Sequence, residues 1–126
     1  MRGHVPAARG VRARRRAERR GRRAERLAEL SLRLRGWRVL ARRHRNVAGE
    51  VDLIVRRGET VAFVEVKARA TVQAALDAIS PSAQHRIQAA GEVWLSRHPR
   101  HARCGWRCDV VAVRPWRWPV HITDVW

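Results

Sequence analysis

Residues 49–68 of the chain are GEVDLIVRRGETVAFVEVKA. Glu50–Val55 and Val61–Lys67 are rich in β-branched and apolar side chains, as strands are, and Arg56–Glu59 between them holds the glycine that a tight turn favours. We therefore predict an antiparallel β-hairpin. Both predicted strands also carry charged side chains, and a small core does not tolerate unpaired charge without a reason.

Alternation along a strand predicts which of these side chains share a face. On the first strand one face carries Glu50, Asp52 and Ile54, and the other carries Val51, Leu53 and Val55. On the second strand Phe63, Glu65 and Lys67 share a face. Pairing of the two strands would therefore bring Asp52 close to Glu65, with Lys67 beside them.

The chemistry of such a cluster favours a divalent cation. Two carboxylates about 4 Å apart repel each other by roughly 1–4 kcal/mol, and a cation between them removes that penalty. Carboxylate oxygens suit Mg²⁺ or Mn²⁺, either of which can polarise a phosphate oxygen and activate a water molecule. Lys67 would orient that water or offset the charge of the transition state. The alternative is a plain salt bridge, in which Lys67 only neutralises Glu65 or Asp52.

Lys67 is the only lysine among 28 basic residues, and all the others are arginine. An ammonium group is a compact point charge, whereas a guanidinium group is a bulky fork that cannot be deprotonated. A chain that otherwise uses arginine for positive charge thus keeps lysine at one position, two residues after Glu65. This favours a specific role for Lys67.

The net charge of +17 is concentrated at the start of the chain, where residues 1–45 hold 17 arginines and three glutamates. Such a basic segment is typical of a nucleic-acid-binding protein, because counterions released from phosphates drive association. An arginine-biased genome is the alternative explanation, and a basic membrane-surface helix is a second one. No segment approaches the roughly 20 apolar residues of a membrane helix, and no signal peptide is recognisable, so we expect a cytoplasmic protein that does not bind membranes.

The remaining pattern predicts one α/β domain over residues 17–126, preceded by a disordered basic tail over residues 1–16. A first helix runs from about Ala17 to Arg35, and Gly36 ends it. Its predicted apolar stripe consists of Ala24, Leu27, Ala28 and Leu34, with Leu30 alongside. Ser80 and Pro81 open another helix that runs to about Arg97. Further strands are predicted at Trp37–Ala41, Trp106–Arg114 and Val120–Thr123, with a helical turn within residues 72–79. The order α-β-β-β-α-β describes a mixed central sheet flanked by helices.

Asp52 followed by Glu65-Val66-Lys67 resembles the D…(D/E)-x-K core of the restriction-endonuclease-like nuclease superfamily. More closely, Gly49–Ile54 together with Phe63–Arg69 is similar to the YraN-like family of uncharacterised bacterial proteins. The segments Gly21–Ala28, Gly36–Arg42 and Arg107–Val111 match the same family, so the resemblance covers roughly residues 17–126.

This resemblance implies a restriction-endonuclease-like fold akin to archaeal Holliday-junction resolvases, and a Mg²⁺-dependent (or Mn²⁺-dependent) endonuclease acting on DNA, including branched DNA. It implies that Asp52 and Glu65 bind the metal, that Lys67 assists the nucleophile, and that Glu50 and Glu25 are auxiliary catalytic residues. An ordinary solvated helix glutamate is the alternative for Glu25. Pairing of two copies into a homodimer is also implied. The candidate nucleic-acid-binding residues are Arg22, Arg23, Arg42, Arg45 and Arg69.

Other interpretations stay open at this point. The chain could be a catalytically silent nucleic-acid-binding protein with the same fold, or a basic structural protein associated with RNA or the ribosome. The spacing of His98, His101, Cys104 and Cys108 is zinc-like but lacks the usual paired knuckles. The tryptophans in Arg114–Pro119 either stack on unpaired bases or pack over a sheet edge. The other tryptophans at 37, 94 and 106 are predicted to lie in the core.

Overall fold

The computed structural model describes residues 4–126, with side chains from Gly10 onward except that of Ala17. The helices and strands are α1 (His4–Leu34), β1 (Arg38–Asn46), β2 (Gly49–Arg57), β3 (Thr60–Ala68), α2 (Val72–Asp77), α3 (Pro81–Ser96), β4 (Gly105–Val113) and β5 (Val120–Ile122). They form a five-stranded sheet in the order β1-β2-β3-β4-β5. The sheet is mixed, because β3 and β4 run parallel while the other neighbours are antiparallel. The predicted mixed sheet with flanking helices is confirmed.

The predicted hairpin is formed by β2 and β3. Gly58 and Glu59 connect the strands, and Gly58 has a φ of 59°, a conformation that side chains other than glycine adopt at a steric cost. The parallel pairing of β3 with β4 needs a crossover, which α2 and α3 supply. The helical turn predicted within residues 72–79 is α2.

Apolar side chains fill both faces of the sheet. The cluster on the α1 side contains Ala24, Ala28, Leu32, Trp37, Leu53, Val55, Ala62, Val64, Val66 and Val111. The cluster on the α3 side contains Val51, Ile54, Val61, Phe63, Ile79, Ile87, Ala90, Trp94, Leu95, Cys104, Cys108 and Val110. The central strands are therefore covered on both faces, as a strand next to a parallel neighbour usually is.

The first helix is longer than the sequence predicts. It begins at His4 instead of about Ala17, and residues 1–3 lie outside the described part. The disordered tail over residues 1–16 stays a prediction. Arginine has a high helix propensity, which lets the helix extend without any apolar face. The division into a basic arm and a domain that starts at residue 17 stays a prediction.

The end of α1 lies where the sequence places it. The amide of Gly36 donates to the carbonyl of Arg33 and the amide of Trp37 to that of Leu32, and Gly36 has a φ of 89°. These two bonds form a Schellman cap, which requires a left-handed residue. The predicted apolar stripe is partly wrong, because Leu30 and Leu34 are 48% and 68% exposed while the unpredicted Leu32 is fully buried.

The third helix begins and ends close to the predicted positions. Ser80 caps it by accepting a hydrogen bond from the amide of Ala83 at 3.1 Å, and Pro81 occupies the first turn. Gly91 lets this helix approach the sheet, since a Cβ atom there would lie 2.4 Å from the ring of Phe63. The buried stripe of α3 fixes the crossover against the sheet.

The tryptophans of the core are mostly as predicted. Trp37 and Trp94 are buried, whereas Trp106 is 39% exposed. The ring of Trp106 packs against Phe63 in a tilted arrangement, with 5.6 Å between the ring centroids. The core prediction is therefore wrong for Trp106, which lies near the start of β4. Within residues 4–126, the structure contains no helix with the length and apolar character required to cross a membrane.

Candidate active site

The backbone next to Asp52 is irregular on both neighbouring strands, but only one of them stops pairing with β2. On one side, Arg42 pairs with Leu53 and His44 with Val51, and Arg43 between them has a φ of 46°, which is uncommon for a residue other than glycine. On the other side, the pairing of β2 with β3 ends at Leu53 and Val64. Asp52 therefore lies where β3 separates from β2 and opposite the irregular Arg43 of β1, which itself stays paired with β2 as far as Asn46 and Gly49. Such irregular backbone recurs at functional sites.

The same interruption corrects the predicted alternation. Val51 and Leu53 were expected on one face, but Val51 packs on the α3 side and Leu53 on the α1 side. Strict alternation holds only while the strand stays regular, and β2 loses its pairing with β3 at this point.

The backbone amide freed by this separation is used by Asp52. Its Oδ2 atom accepts a hydrogen bond from the amide of Val66 at 2.8 Å, which fixes the carboxylate across the gap. Glu65 would be the next partner of Asp52 in the register, and their side chains are within hydrogen-bonding reach of each other. The Nζ atom of Lys67 lies 3.8 Å from Oε2 of Glu65. The structure thus brings together the three residues that the sequence predicts.

Glu65 is the electrostatically unusual member of this cluster. Its side chain is 14% exposed. Burial raises the pKa of Glu65 to about 9, and the neighbouring Asp52 contributes to the rise, against the opposing effect of Lys67. At neutral pH Glu65 therefore keeps its proton beside Asp52, because burial and the neighbouring carboxylate disfavour its ionised form more than the single ammonium group of Lys67 favours it.

The other two predicted acids lie further out and are paired with arginines. The Nε atom of Arg43 donates to Oε2 of Glu25 at 2.7 Å. Arg45 donates to Glu50 at 3.2 Å, and the Glu50 side chain is 47% exposed. The charge of Glu50 still contributes to the raised pKa of Glu65. Glu25 does not act on Glu65 directly; it binds Arg43, whose pKa is raised first by Glu25 and also by Asp52 and Glu50.

The donor set decides how well a metal ion fits. Within residues 4–126 no group of three or more His, Cys, Asp or Glu side chains stands ready to hold an ion. Two carboxylates that compete for one proton are nevertheless suited to a divalent cation, since the cation can replace that proton and neutralise both charges. Mg²⁺ needs only one or two carboxylates, because it keeps several of its water ligands. Asp52 and Glu65 fit such an ion as a two-carboxylate site.

Four of the predicted nucleic-acid-binding arginines line two clefts, and the fifth lies on the edge strand of the sheet. One cleft of about 500 Å³ between α1 and β1 is lined by Arg22 and Arg42. Arg42 forms a two-pronged ion pair with Glu29 at 2.6 and 2.9 Å, so its charge is partly compensated. Arg23 and Arg69 line a second cleft of about 360 Å³ at the end of β3. Arg45 lies on β1 beside Glu50.

The zinc-like spacing does not produce a zinc site in the part of the chain that the structure describes. The ring of His98 stacks on Trp94, and Nδ1 of His98 lies 2.7 Å from the Trp94 carbonyl oxygen. The Nδ1 atom of His101 lies 3.0 Å from Arg56. Cys104 and Cys108 are buried free thiols of the core.

One buried charge was missed by the sequence reasoning. Asp109 is completely buried and accepts hydrogen bonds from His121 at 2.7 Å, from Arg107 at 3.0 Å and from the amide of Asp124 at 2.9 Å. Burial alone raises the pKa of Asp109, but these bonds outweigh it and hold the pKa below its ordinary value. An aspartate in the predicted strand WRCDVVAVR was the available signal. The network ties β5 and the C-terminal residues to β4.

Comparison with known proteins gives the chain a family. Its residues 24–113 match the Uncharacterised protein family UPF0102. The chain belongs to this family. A UPF0102 protein of Mesorhizobium japonicum is 51% identical over 118 residues, 94% of each chain. A UPF0102 protein of Chelativorans sp. is 54% identical over 114 residues, which cover 90% of this chain and 92% of the relative.

The UPF0102 assignment confirms the expected membership in an uncharacterised bacterial family. The matched range contains Glu25, Glu50, Asp52, Glu65 and Lys67, so the whole candidate site lies within the part that defines the family. Residues 1–23, which include the basic arm, and the loop after β4 lie outside it.

Proposed function

We propose that this UPF0102 protein is a metal-dependent endonuclease that hydrolyses phosphodiester bonds in DNA. The observation that carries the proposal is the pair of carboxylates at Asp52 and Glu65, held at a break in the sheet with Lys67 Nζ 3.8 Å from Glu65. A buried carboxylate whose pKa is raised to about 9 is costly to keep unless it has a ligand.

Asp52 and Glu65 would hold Mg²⁺ or Mn²⁺ in this mechanism. When bound, such an ion polarises a phosphate oxygen and lowers the pKa of a water molecule. Asp52 keeps one carboxylate oxygen on the amide of Val66, which fixes its orientation. Its other oxygen and the carboxylate of Glu65 remain to bind, so the backbone of β3 pre-organises the ligand pair.

Lys67 would act on the phosphate. Its side chain is 28% exposed, so its ammonium group can reach a bound phosphodiester while it stays next to Glu65. There it would offset the charge that develops on the phosphoryl oxygens or donate a hydrogen bond to the attacking water. A compact ammonium differs from a guanidinium fork in shape and in its capacity to lose a proton, so the only lysine of the chain at this position supports the proposal.

The basic arm would supply affinity rather than specificity. The part of the arm whose side chains the structure describes carries exposed arginines that are paired with no described acidic side chain: Arg12, Arg14, Arg15 and Arg16. Arginines along one helix bind phosphates of either strand without reading bases. The arm would thus raise the local concentration of DNA at the carboxylate site.

A second candidate is a nucleic-acid-binding protein without catalytic activity. It is favoured by the absence of a third metal ligand in the described residues, and by the arginines that pair with Glu25 and Glu50. Under this alternative Lys67 and Glu65 form only an ion pair. Both candidates predict salt-sensitive binding, and only the first predicts cleavage.

The test uses the purified full-length protein on branched, single-stranded and duplex DNA, with Mg²⁺, Mn²⁺ or EDTA. We expect cleavage that needs the metal and falls by at least about a hundredfold in Asp52→Asn and Lys67→Ala, as is usual when one electrostatic catalytic group is removed. Lys67→Arg should lose metal-dependent cleavage as Lys67→Ala does. Glu59→Gln is the matched control, because Glu59 is an acid of the same hairpin with an 88% exposed side chain.

Binding by the same variants separates the outcomes. Loss of cleavage with full DNA binding supports the nuclease. Binding without metal-dependent cleavage on every substrate supports the silent protein. Cleavage in EDTA, or cleavage at full rate in Lys67→Ala, contradicts the assignment of this site. The pairing of two copies that the family resemblance implies stays a prediction for sedimentation analysis.

A further inference from the structure

The cleft at the end of β3 differs in charge from the cleft between α1 and β1. It has a volume of about 360 Å³ and is lined by Arg20, Arg23, Arg69 and Arg114, with no acidic residue among the described residues of its lining. Its floor is apolar and includes Leu27, Val113 and Pro115. The other cleft holds Glu25 and Glu29, which pair with two of its four arginines, Arg43 and Arg42. Of these two clefts, the one at the end of β3 therefore offers both uncompensated positive charge and an apolar surface.

The arginines of this cleft are free to bind a ligand. None of the four forms an ion pair with any described acidic residue. The Nε atom of Arg114 is buried without a hydrogen-bond partner in the described part of the chain, and Arg69 donates to the carbonyl oxygen of Ala68. A buried donor without a partner costs free energy, which a bound acceptor would recover.

The position of the cleft connects it to the candidate active site. Ala68 and Arg69, which line it, follow Lys67 directly in the chain. The cleft also contains Val113, which pairs with Ala68 just as Ala112 pairs with Lys67 on the parallel strand. The cleft lies on the α1 side of the sheet, whereas Glu65 and Lys67 lie on the Phe63 side of the same strand end. A polymer bound in the cleft would therefore reach the site of Lys67 and Glu65 by passing around the end of β3.

An exposed aromatic side chain stands at the rim. Trp116 is 102% exposed and has a φ of 58°, which a tryptophan adopts at a steric cost. It follows Pro115 of the cleft, and Trp118 two residues further is 49% exposed. The expectation that this segment packs over a sheet edge is wrong for Trp116. An indole ring held fully in water between arginines is suited to stacking on a base.

We propose that the cleft and Trp116 together bind a single strand of DNA next to the catalytic cluster. The arginines would contact the phosphates, the apolar floor would accommodate a sugar or base, and Trp116 would stack on a base. In a duplex, each internal base is already stacked on both faces, so an indole ring gains this contact only with an unpaired base. The favoured substrate of the proposed nuclease is then DNA with unpaired nucleotides beside the scissile bond, and this last step rests on the proposed function.

The binding part is tested without any cleavage. Full-length protein in EDTA is titrated into a fluorescein-labelled single-stranded oligonucleotide, into its duplex, and into polyglutamate as an acidic polypeptide, with anisotropy as the readout. We expect Trp116→Ala to weaken single-strand binding by about tenfold and duplex binding by less than about twofold, and Trp116→Phe to retain most of the affinity. Arg69→Ala should weaken single-strand binding more than Arg103→Ala, which removes the same charge from an exposed position outside the cleft.

Several results would overturn the proposal. They are an equal loss for single strand and duplex in Trp116→Ala, no loss for either, equal effects of Arg69→Ala and Arg103→Ala, or binding of polyglutamate as tight as that of the single strand. The proposed nuclease activity is refuted by a different result. A protein that shows the expected single-strand preference but never cleaves with Mg²⁺ or Mn²⁺ would keep this inference and remove the catalytic one.

Discussion

Replacement of Glu65 by glutamine should stabilise the metal-free protein at neutral pH. The pKa of Glu65 is raised from 4.5 to about 9 by burial and by the adjacent Asp52. The folded protein therefore keeps a proton that the unfolded chain releases above pH 4.5. Its free energy of unfolding should fall as the pH rises between these two values. Glutamine has no proton to lose, and its amide can donate to Asp52 as protonated Glu65 does.

The size of the effect follows from the pKa difference. Each unit of pH between the two pKa values corresponds to about 1.4 kcal/mol. Between about pH 5 and pH 7 the wild-type protein should therefore lose about 3 kcal/mol of stability relative to Glu65→Gln. Other titrating groups contribute equally to both proteins, so the difference between the two pH profiles isolates this carboxylate pair.

Urea unfolding in EDTA, followed by tryptophan fluorescence at several pH values, measures this difference. Glu59→Gln is the control and should follow the wild-type profile, because the Glu59 side chain is 88% exposed. Mg²⁺ should then raise the stability of the wild type at about pH 7 and leave Glu65→Gln nearly unchanged, since a cation replaces the shared proton. Parallel pH profiles for wild type and Glu65→Gln would refute the reasoning that the two carboxylates compete for one proton.

Three further predictions concern packing, the buried aspartate and the basic arm. Gly91→Ala should lower the free energy of unfolding by about 1–3 kcal/mol in thermal melts, because its Cβ atom would lie 2.4 Å from Phe63. Gly21→Ala on α1 should raise the free energy of unfolding by up to about 1 kcal/mol, because its Cβ atom would meet nothing within 4 Å. Asp109→Asn should lower the free energy of unfolding by about 3–5 kcal/mol at neutral pH. This difference from wild type should vanish as the pH falls through the lowered pKa of Asp109 in the folded protein. A difference in stability that stays constant across the acid range would contradict the prediction. Deletion of residues 1–16 removes six arginines and should make DNA affinity less dependent on salt, without changing the preference for single strands. The slope of log affinity against log salt concentration should become shallower by roughly 0.7 for each single-strand phosphate that the arm neutralises. An unchanged slope would show that the arm does not touch DNA.

Much of the fold could be predicted because its signals are local. The hairpin of β2 and β3, the cap at Ser80 and the end of α1 at Gly36 each depend on a few neighbouring residues with fixed backbone preferences. The start of α1 was missed for the same reason. Apolar periodicity marks where a helix packs, and residues 4–16 form a helix with no described side chain in either core cluster.

The candidate site also has features that the sequence predicts and features that it does not. Asp52, Glu65 and Lys67 are predictable as a cluster because one tight turn sets the register between their strands. The arginine partners of Glu25 and Glu50 are not predictable from spacing. The pairing of Glu25 with Arg43 depends on how α1 packs against β1 and on the irregular backbone at Arg43. The pairing of Glu50 with Arg45 depends on the register of β1 with β2, a hairpin that was not predicted from the sequence.

The sequence alone determines the order of helices and strands, the β2–β3 register and the unequal distribution of charge, since these follow from local propensity and composition. Only the tertiary structure decides that the sheet separates at Asp52, that Glu65 is buried deeply enough to hold a proton, and that Trp116 stands in solvent beside a cleft lined by four arginines. Burial and charge compensation depend on residues that are distant in the chain, and no local pattern of side chains specifies which of them will meet.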